Sequence, residues 1–191
     1  MYPSKIEKTE IINLPPCDIT GEIIVIDRPE DVAAAIDDLK QCKLIGFDTE
    51  TRPSFRRGES NTISLLQLAT DKRAYLFRLK KIGQNSLLRD LLESEEHMKV
   101  GLSVHDDFHS LNRWMPCRPK NFIELQKYVK AFGIEEMSLQ KIYAIVFNQK
   151  ISKRQQLSNW EADQLTPSQQ QYAAIDAWAC RNIYYELQHK I

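Results

Sequence analysis

The stretch Lys43-Leu44-Ile45-Gly46-Phe47-Asp48-Thr49-Glu50 decides how the rest of the chain is read, because an apolar run ends there in two acids. Its β-branched and aromatic content suits a buried strand, and Arg52-Pro53-Ser54 interrupts it on the far side. Alternation along a strand puts Leu44, Gly46, Asp48 and Glu50 on one face and Ile45, Phe47 and Thr49 on the other. Asp48 and Glu50 therefore point the same way, roughly 6.5 to 7 Å apart at about 3.3 Å per residue. Two carboxylates so spaced suit one hard cation, whereas a pair left at a fraying strand end is simply solvated.

Upstream, Pro3, Pro15 and Pro16 interrupt residues 1–20, which read as an extended or partly disordered arm laid over a domain spanning 21–191. Glu22–Ile26 has the composition of a first strand. Asp27, followed by Pro29, Glu30 and Asp31, predicts a helix start with a capping side chain, continued by 32–40. Downstream, apolar runs at 62–69 and 73–79, parted by Thr70-Asp71-Lys72, predict a β-hairpin. A helix over 85–93, a strand over 99–102 and a helix over 104–114 follow. Next come a strand at 122–125, helical segments over 126–132 and 138–147, and a polar connector over 148–160. Thr166-Pro167-Ser168 opens a long last helix reaching about residue 188. A partly antiparallel start followed by alternating strands and helices predicts an α/β domain with a mixed β-sheet flanked by α-helices.

Composition narrows the function. The 26 basic and 26 acidic residues cancel, so attraction to nucleic acid has to come from local patches. Cys17, Cys42, Cys117 and Cys180 lack CxxC spacing, which argues against a structural zinc site or a disulfide framework and for reduced thiols. The N-terminus lacks an apolar signal core, and no stretch approaches the ~20 apolar residues of a membrane span. A soluble cytoplasmic protein is expected, with no membrane partner.

Two further acids stand where apolar residues belong. On a helix over 104–114, Asp107 shares a side with Val104, Phe108, Leu111 and Trp114, while Asp106 falls among Ser103, Ser110 and Arg113. In the last helix, Asp176 lies on a stripe with Tyr172, Ala179, Ile183 and Leu187. An arginine partner or a capping role answers one such acid, because an unpaired buried carboxylate is costly. Were Asp48, Glu50, Asp107 and Asp176 to converge, each pair at ~4 Å would repel by about 4 kcal/mol at an effective dielectric of ~20. Divalent metal relieves that repulsion. Oxygen-only ligands select Mg²⁺ or Mn²⁺ over zinc, and a carboxylate site holding two such ions suits phosphodiester cleavage. Tyr172, one turn before Asp176, is placed either to orient or deprotonate an attacking water or to sit as a satisfied core tyrosine.

These residues resemble the DEDD superfamily of 3′–5′ exonucleases, in the branch with a tyrosine in its third motif, with closest likeness to RNase D and the Werner-syndrome exonuclease domains. The first motif is Ile45-Gly46-Phe47-Asp48-Thr49-Glu50. The second runs from Val100-Gly101-Leu102 through Asp106-Asp107-Phe108 to Leu111, and its spacing selects Asp107. The third is Tyr172-Ala173-Ala174-Ile175-Asp176-Ala177. Ile63-Ser64-Leu65-Leu66-Gln67-Leu68-Ala69 and Ala74-Tyr75-Leu76-Phe77 resemble the next two strands, and Leu157-Ser158-Asn159-Trp160 resembles the lead-in to the third motif. Glu124 departs from the pattern, standing where relatives often carry Asp, outside the motifs.

The resemblance, over residues 22–189, implies a ribonuclease H-like fold and a two-metal hydrolysis that releases nucleoside 5′-monophosphates from a 3′ end. By its pattern Asp48, Glu50 and Asp176 hold the catalytic ion, with Asp48 bridging to a second ion that Asp107 supports. Tyr172 positions the nucleophilic water. DNA and RNA both remain open as substrates, with discrimination at the ribose resting on contacts around Thr49 and Leu65. Loop cations Arg52, Arg56, Arg57, Lys150, Lys153 and Arg154, with Trp160 close by in sequence, are candidate nucleic-acid contacts or ordinary solvated charge. His105 and His109 flank Asp107. No accessory domain accompanies the sequence, so specificity is expected from the domain itself or a partner protein. The competing reading is a binding module that keeps the nuclease fold without cleaving, and the retention of four acids and Tyr172 argues for catalysis.

Overall fold

The computed structural model describes residues 2–54 and 61–190. Its strands are β1 (Glu22–Ile26), β2 (Leu44–Thr51), β3 (Ile63–Ala69), β4 (Arg73–Arg78), β5 (Met98–Gly101) and β6 (Phe122–Glu124). They form one sheet in the order β1-β4-β3-β2-β5-β6. β3 pairs antiparallel with β2 and β4, while the pairings β1 with β4, β2 with β5 and β5 with β6 are parallel. The expected mixed sheet and its 70–72 hairpin turn are both present.

The helices are α1 (Lys8–Asn13), α2 (Val32–Leu39), α3 (Leu79–Ile82), α4 (Ser86–Glu93), α5 (Val104–Trp114), α6 (Leu125–Tyr128), α7 (Leu139–Phe147) and α8 (Pro167–Gln188). α2, α4 and α5 cover one sheet face, burying Ile36, Leu39, Leu91 and Leu111 against Ile45, Phe47, Leu66, Leu68 and Phe77. α8 lies across the other face, where its small residues Ala173, Ala174 and Ala177 meet Leu65, Ala69 and Leu76. Its C-terminal half packs with α6 and α7 through Ile183, Leu187, Leu125 and Ile142. α8 starts cleanly because Thr166 and Gln169 form a reciprocal capping box with Pro167 in the first turn.

Gly46 sets how closely α8 approaches the sheet. A Cβ there would lie 2.0 Å from the Ala177 carbonyl oxygen, so only glycine lets the helix backbone rest on β2. That contact places Asp176, the preceding residue, over the strand that carries Asp48. Gly101 does the same on the opposite face, since a Cβ would come within 2.7 Å of Val104 and 2.9 Å of Phe47.

Three details differ from expectation. The arm is not wholly extended, because Glu7 and Glu10 form a capping box that starts α1. It is tied down where Ile6 N donates to Glu136, Glu135 N donates to Ser4 O, and Pro15 and Cys17 bond the backbone of Lys150. Asp27 does not cap α2. A 3-10 turn, Pro29–Asp31, precedes that helix, and Arg28 clasps Asp31 at 2.8 Å instead. α3, only four residues long, is too short to show periodicity and is not expected from the sequence. Among the described residues no helix is long and apolar enough to cross a membrane, and all four cysteines are free.

Candidate active site

Three of the four acids meet at the junction of β2 and α8. Carboxylate oxygens of Asp48, Glu50 and Asp176 lie within 4.8 Å of one another. β2 supplies the first two from alternate positions on one face, and α8 lowers Asp176 onto them. Asp176 is 4% exposed, and its Oδ1 is buried without a hydrogen-bond partner. Burial raises all three carboxyls, and repulsion from neighbouring acids adds to it at Asp48 and Glu50. Asp48 is held well above the usual range by burial and then by Asp176, Glu50 and Asp107. Glu50 is raised to about 9 by burial and then by Asp176 and Asp107. Burial takes Asp176 to about 7, against the pull of the Tyr172 hydroxyl and the Lys153 ammonium.

Asp107 arrives from the other side of the sheet. α5 packs there through Val104, Phe108 and Leu111, and the Thr49 hydroxyl donates to Asp107 Oδ1. Burial raises this carboxyl to about 7. Thr49, placed by alternation on the face away from Asp48, thus links β2 to the fourth acid. Asp106 is exposed, as the helical-face reading required. Glu124 accounts for its own departure from the family pattern: its carboxylate accepts from Ser103 N at 3.0 Å, Val104 N at 2.8 Å and Gln126 N at 3.1 Å. It thereby caps α6 and fixes the turn into α5, where Ser103 is left-handed at φ 59°.

The donor set fits divalent metal. Among the described residues no arginine or lysine hydrogen-bonds these three close carboxylates, one of which has an orphaned buried oxygen, and oxygen donors favour hard cations. Tyr172 is 7% exposed, with its ring 6.0 Å from that of Trp160. Burial and the nearby charges of Asp176, Glu50 and Asp48 hold its phenol well above the ordinary tyrosine range. It keeps its proton, which suits orienting a water rather than deprotonating it.

The expected nucleic-acid contacts separate. Lys153 and Arg154 are exposed beside the site; Arg154 lines a cavity of about 480 Å³ with Ser152, Gln155, Gln171 and Tyr172. Arg52 is ion-paired with Glu161 at 3.7 Å. Arg56 and Arg57 lie outside the described residues. Trp160 is a correction: it is fully buried among Leu65, Leu165 and Tyr172 and offers no open ring face for a base. Sequence proximity suggested a stacking surface, but the ring instead forms a wall behind Tyr172. Gln67 was passed over. It is fully buried on β3, directly opposite Asp48 and therefore on the same face, and neither end of its amide has a partner. Reading it from sequence required the strand register, which a single strand does not reveal.

Residues 23–191 match the 3′–5′ exonuclease family. Mouse bifunctional 3′–5′ exonuclease/ATP-dependent helicase WRN is 28% identical over 92% of this chain, which spans 13% of that protein. The EXO domain of Aedes aegypti Nibbler superposes with a TM-score of 0.79 at 22% identity, covering 92% of this chain and 93% of that one. Escherichia coli RNase D, described as an exoribonuclease involved in structured RNA processing, gives 0.78 at 21%, covering 90% and 45%. These likenesses establish the ribonuclease H-like fold that the motifs implied.

Proposed function

The chain belongs to the 3′–5′ exonuclease family, and from that premise we propose that it hydrolyses phosphodiester bonds at the 3′ end of DNA or RNA. The observation that carries this reading is the convergence of Asp48, Glu50 and Asp176 within 4.8 Å beside Tyr172. Asp48, Glu50 and Asp176 would hold one Mg²⁺ or Mn²⁺, with Asp48 shared with a second ion supported by Asp107. Bound divalent metal supplies Lewis acidity at the phosphoryl oxygens and a more acidic water.

The chain's own groups do the positioning. Tyr172, protonated at Oη, orients the attacking water; addition at phosphorus with cleavage of the P–O3′ bond frees a nucleoside 5′-monophosphate and leaves a new 3′-hydroxyl. Thr49 fixes the Asp107 carboxylate through its hydroxyl. Lys153 and Arg154 offer charge to the strand's phosphates. Four free cysteines support a reducing, cytoplasmic setting.

Matched 5′-labelled DNA and RNA oligomers, incubated with Mg²⁺, Mn²⁺ or EDTA, test the proposal. A metal-dependent ladder shortening from the 3′ end, lost in Asp48→Ala, is expected, and the better oligomer identifies the sugar. Binding of both oligomers without cleavage in any metal would instead establish a non-catalytic module.

A further inference from the structure

A second cavity, of about 460 Å³, lies beside the one that contains Tyr172. Lys8, Ile11 and Ile12 of α1 form one wall, Gln140 and Lys141 of α7 another, and Lys150, Ile151 and Lys153 the floor. Ile151 lines both cavities, and Tyr172, one helical turn from Asp176, lines the first. The two hollows therefore form one continuous surface leading away from the carboxylates.

α1 makes little sense as a stabilising element. It has six residues and buries none of them, and a helix that short is marginal in water. It is nevertheless held at the rim, with the Ile12 carbonyl accepting from Lys150 Nζ. That leaves Ile12 68% exposed. Lys141 is already paired with Glu136, and Lys150 with that carbonyl. Among the described residues Lys8 and Lys153 make no ion pair, and both line this isoleucine-walled trough. Cations at the rim with an apolar floor complement a single nucleic-acid strand, whose phosphates take the charge while sugars and base faces cover the aliphatic surface.

We propose that this trough binds the substrate strand several nucleotides upstream of the 3′ end, with α1 as its outer wall. This rests on the exonuclease reading and extends it: the arm of residues 1–20 becomes part of the substrate site. Longer strands bind more tightly than short ones because only they reach Lys8.

The test uses the full chain and the variants Lys8→Gln and Lys8→Glu/Ile12→Asp, neither of which touches the carboxylate site. Binding of fluorescent trinucleotide and dodecanucleotide is measured in EDTA, where no cleavage occurs. The double variant is expected to bind the dodecamer roughly tenfold more weakly, and its log-affinity against log-salt slope should be shallower by about 0.7, the share of one phosphate contact on a single strand. Lys8→Gln should show the same slope change with a smaller loss, which separates lost charge from a damaged α1. Trinucleotide binding should change by less than about twofold. An unchanged dodecamer affinity, or equal losses for both lengths, would overturn the trough as a strand path and leave it to a protein ligand. Cleavage of the dodecamer with Mn²⁺ is scored separately, so a chain that binds by length but never cuts would sink the nuclease reading alone.

Discussion

On the sheet face covered by α2, α4 and α5, Lys99 is fully buried, yet its Nζ donates to the Ser94 carbonyl at 2.7 Å and the Leu91 carbonyl at 3.3 Å and lies 5.1 Å from the Phe122 ring centroid. On the face covered by α8, Asp176 is also buried, but among the described residues its Oδ1 meets no donor, and Gln67 and Trp160 Nε1 are orphaned nearby. One face satisfies its buried charge with helix-end carbonyls. The other leaves carboxylates facing each other. Buried polar groups are ordinarily paired, so the unpaired side is where a ligand would find partners and the paired side is where stability resides.

Removing an acid should therefore separate activity from stability. Asp48→Asn is expected to lower exonuclease activity by about 10³-fold, since metal-borne charge stabilisation amounts to several kcal/mol at about 1.4 kcal/mol per tenfold. The metal-free variant should melt no lower than the parent, because one of three mutually repelling carboxyls has gone. A coincident collapse in thermal melting would mean that Asp48 is structural and the contrast between faces is false.

Lys99 predicts the converse. Lys99→Ala leaves the Ser94 carbonyl without its donor and opens a cavity, costing about 2–4 kcal/mol in denaturant unfolding. Lys99→Met fills the space without the charge and should stay within about 1.5 kcal/mol of the parent. Neither should alter activity at a temperature where it is folded. A Lys99→Ala protein as stable as the parent would show that the carbonyl contacts contribute nothing.

The two faces also respond to pH with opposite sign. Glu50, at about 9, and Asp176, at about 7, are raised above their unfolded values near 4. Their contribution is fully present below pH ~4 and is lost as pH rises through the folded values, because the native state binds the extra protons. Lys99 is lowered to about 8 by burial, so between about 8 and the unfolded ~10.5 the unfolded state binds more protons and stability climbs. In EDTA the melting temperature should fall by at least about 3 °C between pH 5 and pH 9, given ~1.4 kcal/mol per unit of raised pKa and 2–4 °C per kcal/mol at this chain length. Asp176→Asn should flatten the fall. Mn²⁺ at a hundred times its dissociation constant should restore about 2.7 kcal/mol at pH 8. A metal-free melting curve flat across this range would remove the electrostatic case for the site.

Much of this is legible in the sequence's periodicity. Asp107 and Asp176 were identified by lying on apolar stripes, and Val104, Leu111, Ile183 and Leu187 are buried as those stripes required. Strand alternation likewise separated Thr49 from Asp48. What it could not supply was register and depth. The position of Gln67 across from Asp48 depends on which residues of β2 and β3 pair. Trp160, set in a polar connector, gave no sign that α8 and β3 would close over it. α1 was hidden because its capping acids, Glu7 and Glu10, sit in a proline-broken segment with no apolar stripe to bury.

Gln67 gives the smallest effect and the sharpest reading of the unpaired face. Its neighbours on that face are Leu65, Ala69 and, across the hairpin, Leu76, all apolar, while Asp48 stands opposite it on β2. An orphaned buried polar atom costs about 1–3 kcal/mol, and glutamine leaves two in place. Methionine has nearly the same length and no such atoms, so Gln67→Met should raise stability by about 1 kcal/mol, or roughly 2–4 °C in melting temperature. A surface glutamine replaced in the same way should shift melting by far less. Should Gln67→Met instead destabilise the metal-free protein, the amide has a partner in solution, water or the Asp48 carboxyl, and the α8 face is better satisfied than its geometry indicates. If the gain appears without metal but vanishes when Mn²⁺ is added, the amide finds its partner only in the loaded site, and the difference between the two faces reduces to the ion that one of them was built to receive.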